Sequence, residues 1–254
     1  MPLYTADALI LRTYKLGEAD RIVVFLTRDR GKKRGVAKGA RRARSPFVGA
    51  LEPLTEVRVA YFEKERRELV GLNFAETIRS PLGLIGGPAS LRARAEAGRG
   101  FTGVPAQVGI CVRERSSEAG HDIDEDALGY VGYFAELLDE WAQDADADER
   151  LYRLGTSMLH ALAAGAPAEP LARYFEYWLL RLQGVYPEER GTLSEAAMAF
   201  LAASRSLGPD RAGELPASSA VLRELEQVHR GLITTHLEKT LKSDRVLRDL
   251  RRHN

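Results

Sequence analysis

Residues 8–37 read ALILRTYKLGEADRIVVFLTRDRGKKRGVA, and the fold turns on how this stretch is divided. Two runs rich in apolar and β-branched residues, 8–14 and 21–27, flank KLGEAD at 15–20, whose glycine and acids suit a turn. A hairpin is the simplest reading. A second turn at 28–32 leads into 33–37, where Val36 is the only bulky apolar residue. Working outward, LTEVRVAYF at 54–62 and ELVGLNF at 68–74 alternate again, with the charged residues 63–67 as a tight connection. Five short strands with no helix-period segment among them predict a small closed or nearly closed barrel, because closure removes the edges such strands would expose.

The pattern changes after Ser80. Pro81, Gly83, Gly86, Gly87 and Pro88 mark a boundary, beyond which apolar residues recur at three- and four-residue steps. Leu128, Val131, Phe134, Leu138 and Trp141 share one helical face, and similar stripes predict helices over 149–164, 170–182, 194–203 and 219 to about 241. The expected fold class is α+β and multidomain: a barrel in residues 1–80 and a helical domain in 81–254. Residues 95–123 fit neither pattern and read as a long loop insertion with one short strand at 108–112.

Composition narrows the function. The chain has 254 residues, 44% of them apolar, enough for a sizeable core. The first twenty residues are too charged for a signal peptide and no run of eighteen apolar residues follows, so a soluble intracellular protein with no membrane association is expected. Cys111 is the only cysteine, which closes disulfide and thiolate-zinc readings. Phosphate-loop, dinucleotide-binding, nucleophile-elbow and zincin motifs are absent, so no enzyme activity and no cofactor is expected. The string DADAD at 144–148 resembles half a calcium loop. It has Glu149 where the loop needs a glycine and Gly155 where it needs a bidentate Glu, so it reads as a solvated connection with no metal. His229 and His236 lie two helical turns apart and read as surface or partly buried side chains.

The net charge of +1 hides an asymmetry. Residues 1–80 carry 17 basic and 10 acidic side chains, and the remainder carries 20 and 26. Residues 28–44 hold nine basic groups against Asp29 alone. Such a run can be a solvated face or an anionic-lipid contact. Its place inside a strand-turn-strand segment favours nucleic acid, since alternate side chains share a face and glycines admit a phosphate backbone. The candidate nucleic-acid-binding residues are Lys32, Lys33, Arg34, Lys38, Arg41, Arg42 and Arg44, with Arg12, Arg21 and Arg28 nearby on the barrel. Residues 40–46 read as a loop.

ALILRTYKLGEADRIVVFLT (8–27), VAKGARR (36–42) and GALEPLT (49–55) resemble RecO, the bacterial recombination mediator family. RYFEYWLLRLQGVYP (173–187) is similar to that family's central helical domain and HLEKTLKSDRVL (236–247) to its C-terminal helix. The resemblance implies an N-terminal five-stranded OB-fold and a helical domain. It implies binding of single- and double-stranded DNA, strand annealing, and assistance in loading recombinase onto DNA coated by single-strand-binding protein. The implied partners are RecR and the acidic C-terminal tail of the single-strand-binding protein, in the bacterial cytoplasm at the nucleoid. Two rival readings are an adaptor that mainly docks that acidic tail and an RNA-binding OB protein. Many members carry a four-cysteine zinc module after the Tyr186-Pro187 turn. Here the chain runs on into the next helix without those cysteines.

Overall fold

A computed structural model describes residues 2–63, 68–81, 125–187 and 193–253, so the predicted insertion at 95–123, with its short strand, lies outside the described residues. The strands are β1 (Leu3–Leu16), β2 (Asp20–Thr27), β3 (Gly31–Ala37), β4 (Glu56–Phe62) and β5 (Leu69–Arg79). They close into a barrel in the order β1-β2-β3-β5-β4, with β3 and β5 parallel and the other pairs antiparallel. This is a five-stranded OB-type barrel followed by helices.

β1 begins five residues earlier than its apolar run because its first half pairs with β4 (Leu3↔Phe62 to Leu9↔Glu56) and its second half with β2 (Ala8↔Thr27 to Leu16↔Asp20). One strand closes both sides of the barrel. A bulge between Ile10 and Arg12 makes the switch, leaving Leu11 as the extra residue. Alternation then sorts the side chains. Ala8, Ile10, Val23, Phe25, Val57, Val59 and Tyr61 fill the interior, with Phe47, Ala50 and Leu51 from the β3–β4 connection packed among them. Leu9, Leu11, Val24, Leu26 and Leu54 face outward and join the core of the helices.

The helices are α1 (Glu125–Trp141), α2 (Glu149–Ala163), α3 (Ala168–Leu182), α4 (Glu195–Ser206), α5 (Ser219–Leu237) and α6 (Lys242–His253). Asp148, Ser194 and Ser218 cap α2, α4 and α5, each accepting from a backbone N–H three residues on, a contribution of about 1 kcal/mol apiece. α2 crosses close to the barrel at Gly155, where a Cβ would lie 2.7 Å from both Leu138 Cδ1 and Leu9 Cδ1. The helix predicted over 219 to about 241 ends at Leu237, where Glu238 adopts a left-handed conformation (φ 54°), and α6 follows beyond the predicted span. The start of α6 is held from outside: Lys242 N and Ser243 N donate to the Glu136 carboxylate of α1 at 3.1 and 2.7 Å. Burial works to raise the pKa of Glu136, but these bonds and that from Ser243 Oγ outweigh it and hold the carboxyl below its ordinary range.

The helical core encloses a charged group. Tyr133 Oη donates to Glu176 Oε1 (2.6 Å), Arg173 Nη2 lies 3.1 Å from the same oxygen, and His229 Nδ1 is 3.0 Å from Glu176 Oε2. His229 is fully buried, further in than the surface or partly buried position read from sequence, because Glu176 supplies a partner across 53 residues of chain. His236 stacks on Trp141 with ring centroids 5.6 Å apart. Among the described residues no group of three metal-ligating side chains converges, and no helix is long and apolar enough to cross a membrane.

Candidate nucleic-acid interface

The ten predicted cations divide into two sets. The first sits where the barrel meets the helices. Arg12 leaves the bulge of β1 toward α1, with Nε 3.1 Å from Asp139 and Nη2 3.8 and 3.7 Å from Glu136 and Glu140. Lys32 Nζ donates to the Asp139 carbonyl at 2.7 Å and is nearly buried. Lys33 Nζ reaches Glu63 at 2.8 Å, Arg28 Nη2 reaches Glu149 at 2.7 Å, and Arg34 Nη2 lies 3.9 Å from Asp144. Burial opposes the charge of Arg12, yet the Tyr14 hydroxyl and the carboxylates of α1 outweigh it and raise its pKa. These five cations are already neutralised by the chain's own acids.

The same junction covers much of the outer face of β2 and β3, on which OB barrels commonly carry ligands. Val24 and Leu26 pack into the helical core. The connection from α1 to α2 lies against the start of β3: Lys32 N donates to the Gln143 carbonyl at 3.1 Å and Ala145 N to the Lys32 carbonyl at 3.0 Å. Gly31 is essential to this approach. Its φ is +67°, and a Cβ there would sit 2.1 Å from the Asp146 carbonyl oxygen.

The second set, Arg21, Lys38, Arg41, Arg42 and Arg44, gathers at the far mouth of the barrel. Arg21 pairs across β2 with Ala37 of β3 on one side and Lys15 of β1 on the other. The 38–55 connection folds back over the β1–β2 turn: Arg41 N donates to the Ala19 carbonyl at 2.9 Å, Arg41 Nη1 to the Gly17 carbonyl at 3.2 Å, and Gly39 N to Asp20 Oδ1 at 2.7 Å. Turn bonds from Arg42 N to the Gly39 carbonyl and from Ser45 N to the Arg42 carbonyl continue it, and Phe47, 3% exposed, anchors it in the barrel. The loop is thereby pinned at both ends. Lys38, Arg41, Arg42 and Arg44 are exposed, Arg21 is half-buried, and none of them forms an ion pair with another described residue. A cleft of about 280 Å³ opens between Arg21, Arg41, Phe47, Val48 and Glu52.

Two contributors escape a search for basic runs. Lys15 joins this set only through its register with Arg21. Tyr14, 47% exposed, lies on the outer face in a row with Ile22 and Val36, which are half-buried. The alternation around the turn carried that signal, since Tyr14 and Ile22 are placed opposite each other by a hairpin closing at 17–19. Unpaired cations beside a flat, partly exposed apolar row can hold a phosphate backbone and offer an aromatic ring to a base.

Residues 1–81 match the family model described as Recombination protein O N terminal, and residues 123–191 match Recombination protein O C terminal. A protein of Koribacter versatilis named DNA repair protein RecO is 32% identical over 186 residues, covering 73% of this chain and 61% of that one. A protein of the same name from Anaeromyxobacter sp. (strain K) is 30% identical over 179 residues, 70% of this chain and 56% of that one. Another from Bifidobacterium adolescentis is 53% identical over 85 residues, 34% of each chain. In each case the match spans less than two thirds of the relative's own length. With both terminal models matched in order on a closed five-stranded barrel followed by helices, the chain belongs to the RecO family.

Proposed function

We propose that this chain is a DNA-repair protein that binds single- and double-stranded DNA at the open mouth of its barrel and anneals complementary strands without breaking or making a bond. One observation carries the reading. Lys15, Arg21, Lys38, Arg41, Arg42 and Arg44 converge at one mouth with no carboxylate paired to them among the described residues, while their neighbours in the basic run are all engaged. Cations that neutralise phosphates there release the strand's condensed counterions and lower the repulsion between one strand and another. With about five phosphates engaged, the slope of log K against log salt on single strands is roughly −3.5. Tyr14 supplies a stacking face that is indifferent to base identity.

In this role the protein assists loading of recombinase on DNA coated by single-strand-binding protein, with RecR and the acidic tail of the single-strand-binding protein as partners, in the cytoplasm. A cleft of about 230 Å³ between α2 and α3 supports the second partner: Leu154, Met158, Trp178 and Leu182 line it, and Arg150 and Arg153 flank it with positive charge. Charge reversal of both arginines should abolish retention of a tail peptide and leave DNA binding unchanged. The deciding experiment is a competition titration among single-stranded DNA, duplex DNA and RNA, joined to annealing of bare complementary strands with no partner present. Binding of both DNA forms with partner-free annealing is the expected result. Annealing only when a partner is added would point to an adaptor, and a clear preference for RNA would point to recognition of the 2′-hydroxyl.

A further inference from the structure

The connection between α1 and α2 is strongly acidic and lies against the barrel. Residues 144–149 read DADADE, four acids in six positions. Main-chain bonds to Lys32 dock this segment against β3, and its carboxylates meet two exposed arginines: Glu149 at 2.7 Å from Arg28, and Asp144 at 3.9 Å from Arg34. All four side chains are at least half exposed (53 to 64%). Asp146, also exposed, makes no ion pair with another described residue. Beside Arg34 lies a cleft of about 460 Å³ that also takes in Lys33, Glu63, Glu68 and Asp144.

We infer that Arg28, Arg34 and this cleft form a second, latent track for a nucleic-acid strand, masked here by the carboxylates of the chain's own acidic segment. The inference rests on the DNA-binding reading and adds a masked site to it. Exposed ion pairs hold weakly and exchange partners readily. The carboxylates nonetheless repel phosphates within a Debye length, about 10 Å at 0.1 M salt. The backbone need not move, because the docking bonds run through Lys32, Gln143 and Ala145 while the paired side chains point to solvent. Only the charges stand in the way. A strand at the mouth and a second along this track would place two strands on one barrel, the arrangement that annealing requires.

The test is the salt dependence of single-stranded DNA binding by the full chain carrying Asp144→Asn and Glu149→Gln. Unmasking two arginines adds two phosphate contacts and steepens the slope by about 1.4, which makes binding about 25-fold tighter at 0.1 M if the lines meet near 1 M salt. Adding Arg28→Ala and Arg34→Ala should return the slope to that of the unmodified chain. Glu195→Gln with Glu238→Gln, an equal charge change at two exposed acids that pair with no cation among the described residues, should leave it unaltered. An unmodified slope in the Asp144/Glu149 variant, or equal steepening in the Glu195/Glu238 control, overturns the masked track alone. Failure of the unmodified chain to bind DNA at any salt overturns the DNA-binding reading as well, so the two failures are distinguishable.

Discussion

Replacing Arg42 and Arg44 together with alanine separates the mouth of the barrel from its junction with the helices. Both guanidiniums are exposed, and neither pairs with an acid among the described residues. Each phosphate of a single strand that is no longer neutralised takes about 0.7 from the slope of log K against log salt. The pair should therefore flatten it from roughly −3.5 to roughly −2.1, which weakens binding about 25-fold at 0.1 M if the lines meet near 1 M salt. Folding should be unaffected, because neither side chain is buried or paired. Arg12→Ala should do the opposite. It leaves Glu136, Asp139 and Glu140 facing one another without the cation between them, and at 27% exposure Arg12 is shielded enough for that to matter. A cost of about 1–2 kcal/mol is expected, below the 3–5 kcal/mol of a fully buried pair, with the salt slope intact. Anisotropy of a labelled oligonucleotide between about 0.05 and 0.3 M salt measures the first quantity, and urea unfolding the second. If Arg12→Ala flattened the slope as much as the arginine pair did, and left stability alone, the division of the cations into two sets would be refuted.

Three further outcomes follow from the packing. Gly155→Val inserts side-chain atoms where a Cβ already lies 2.7 Å from Leu138 and Leu9, so it should cost about 1–3 kcal/mol by overpacking the barrel–helix contact, read as a lower urea midpoint. Unchanged stability would show that contact to be looser than described. Glu176→Ala strips Tyr133, Arg173 and His229 of their shared acceptor and should destabilise by about 3 kcal/mol, since the buried guanidinium loses its nearer carboxylate and keeps only Glu226, 3.8 Å from Nη1, among the described residues; a change below about 1 kcal/mol in calorimetry would contradict this. Burial, reinforced by the Glu63 charge, pushes Tyr61 up to about 12. The unfolded phenol loses its proton near 10 while the folded one keeps it, so over that window the unfolded state binds fewer protons and stability falls as pH rises. Tyr61→Phe should flatten the fall by up to about 1.4 kcal/mol per pH unit, and an identical pH profile would exclude Tyr61 as its source.

The hairpin of β1 and β2 was legible because its faces alternate around a glycine turn, and the α1 and α3 stripes because period-3.6 burial leaves a clear trace. The early start of β1 and the extension of β5 to Arg79 were not legible. Both depend on pairing with β4, whose partners lie elsewhere in the chain. The left-handed turn at Glu238 had no glycine or proline to announce it, so the sequence reading carried the helix a few residues too far. The burial of His229 was not legible because its partner, Glu176, is 53 residues away.

That a strongly basic segment is threaded through a small strand barrel could be read from residue order alone, since charge and alternation are local properties. Residue order also held enough of the RecO pattern to indicate the family. Which of the cations remain available was decided only by the tertiary structure. Asp139 lies 107 residues from Lys32, and Glu149 lies 121 from Arg28. Nothing local marks Arg28 as paired and Arg42 as unpaired among the described residues, because an ion pair depends on distance in space, and that distance is set by how the outer leucines of the barrel pack into the helices.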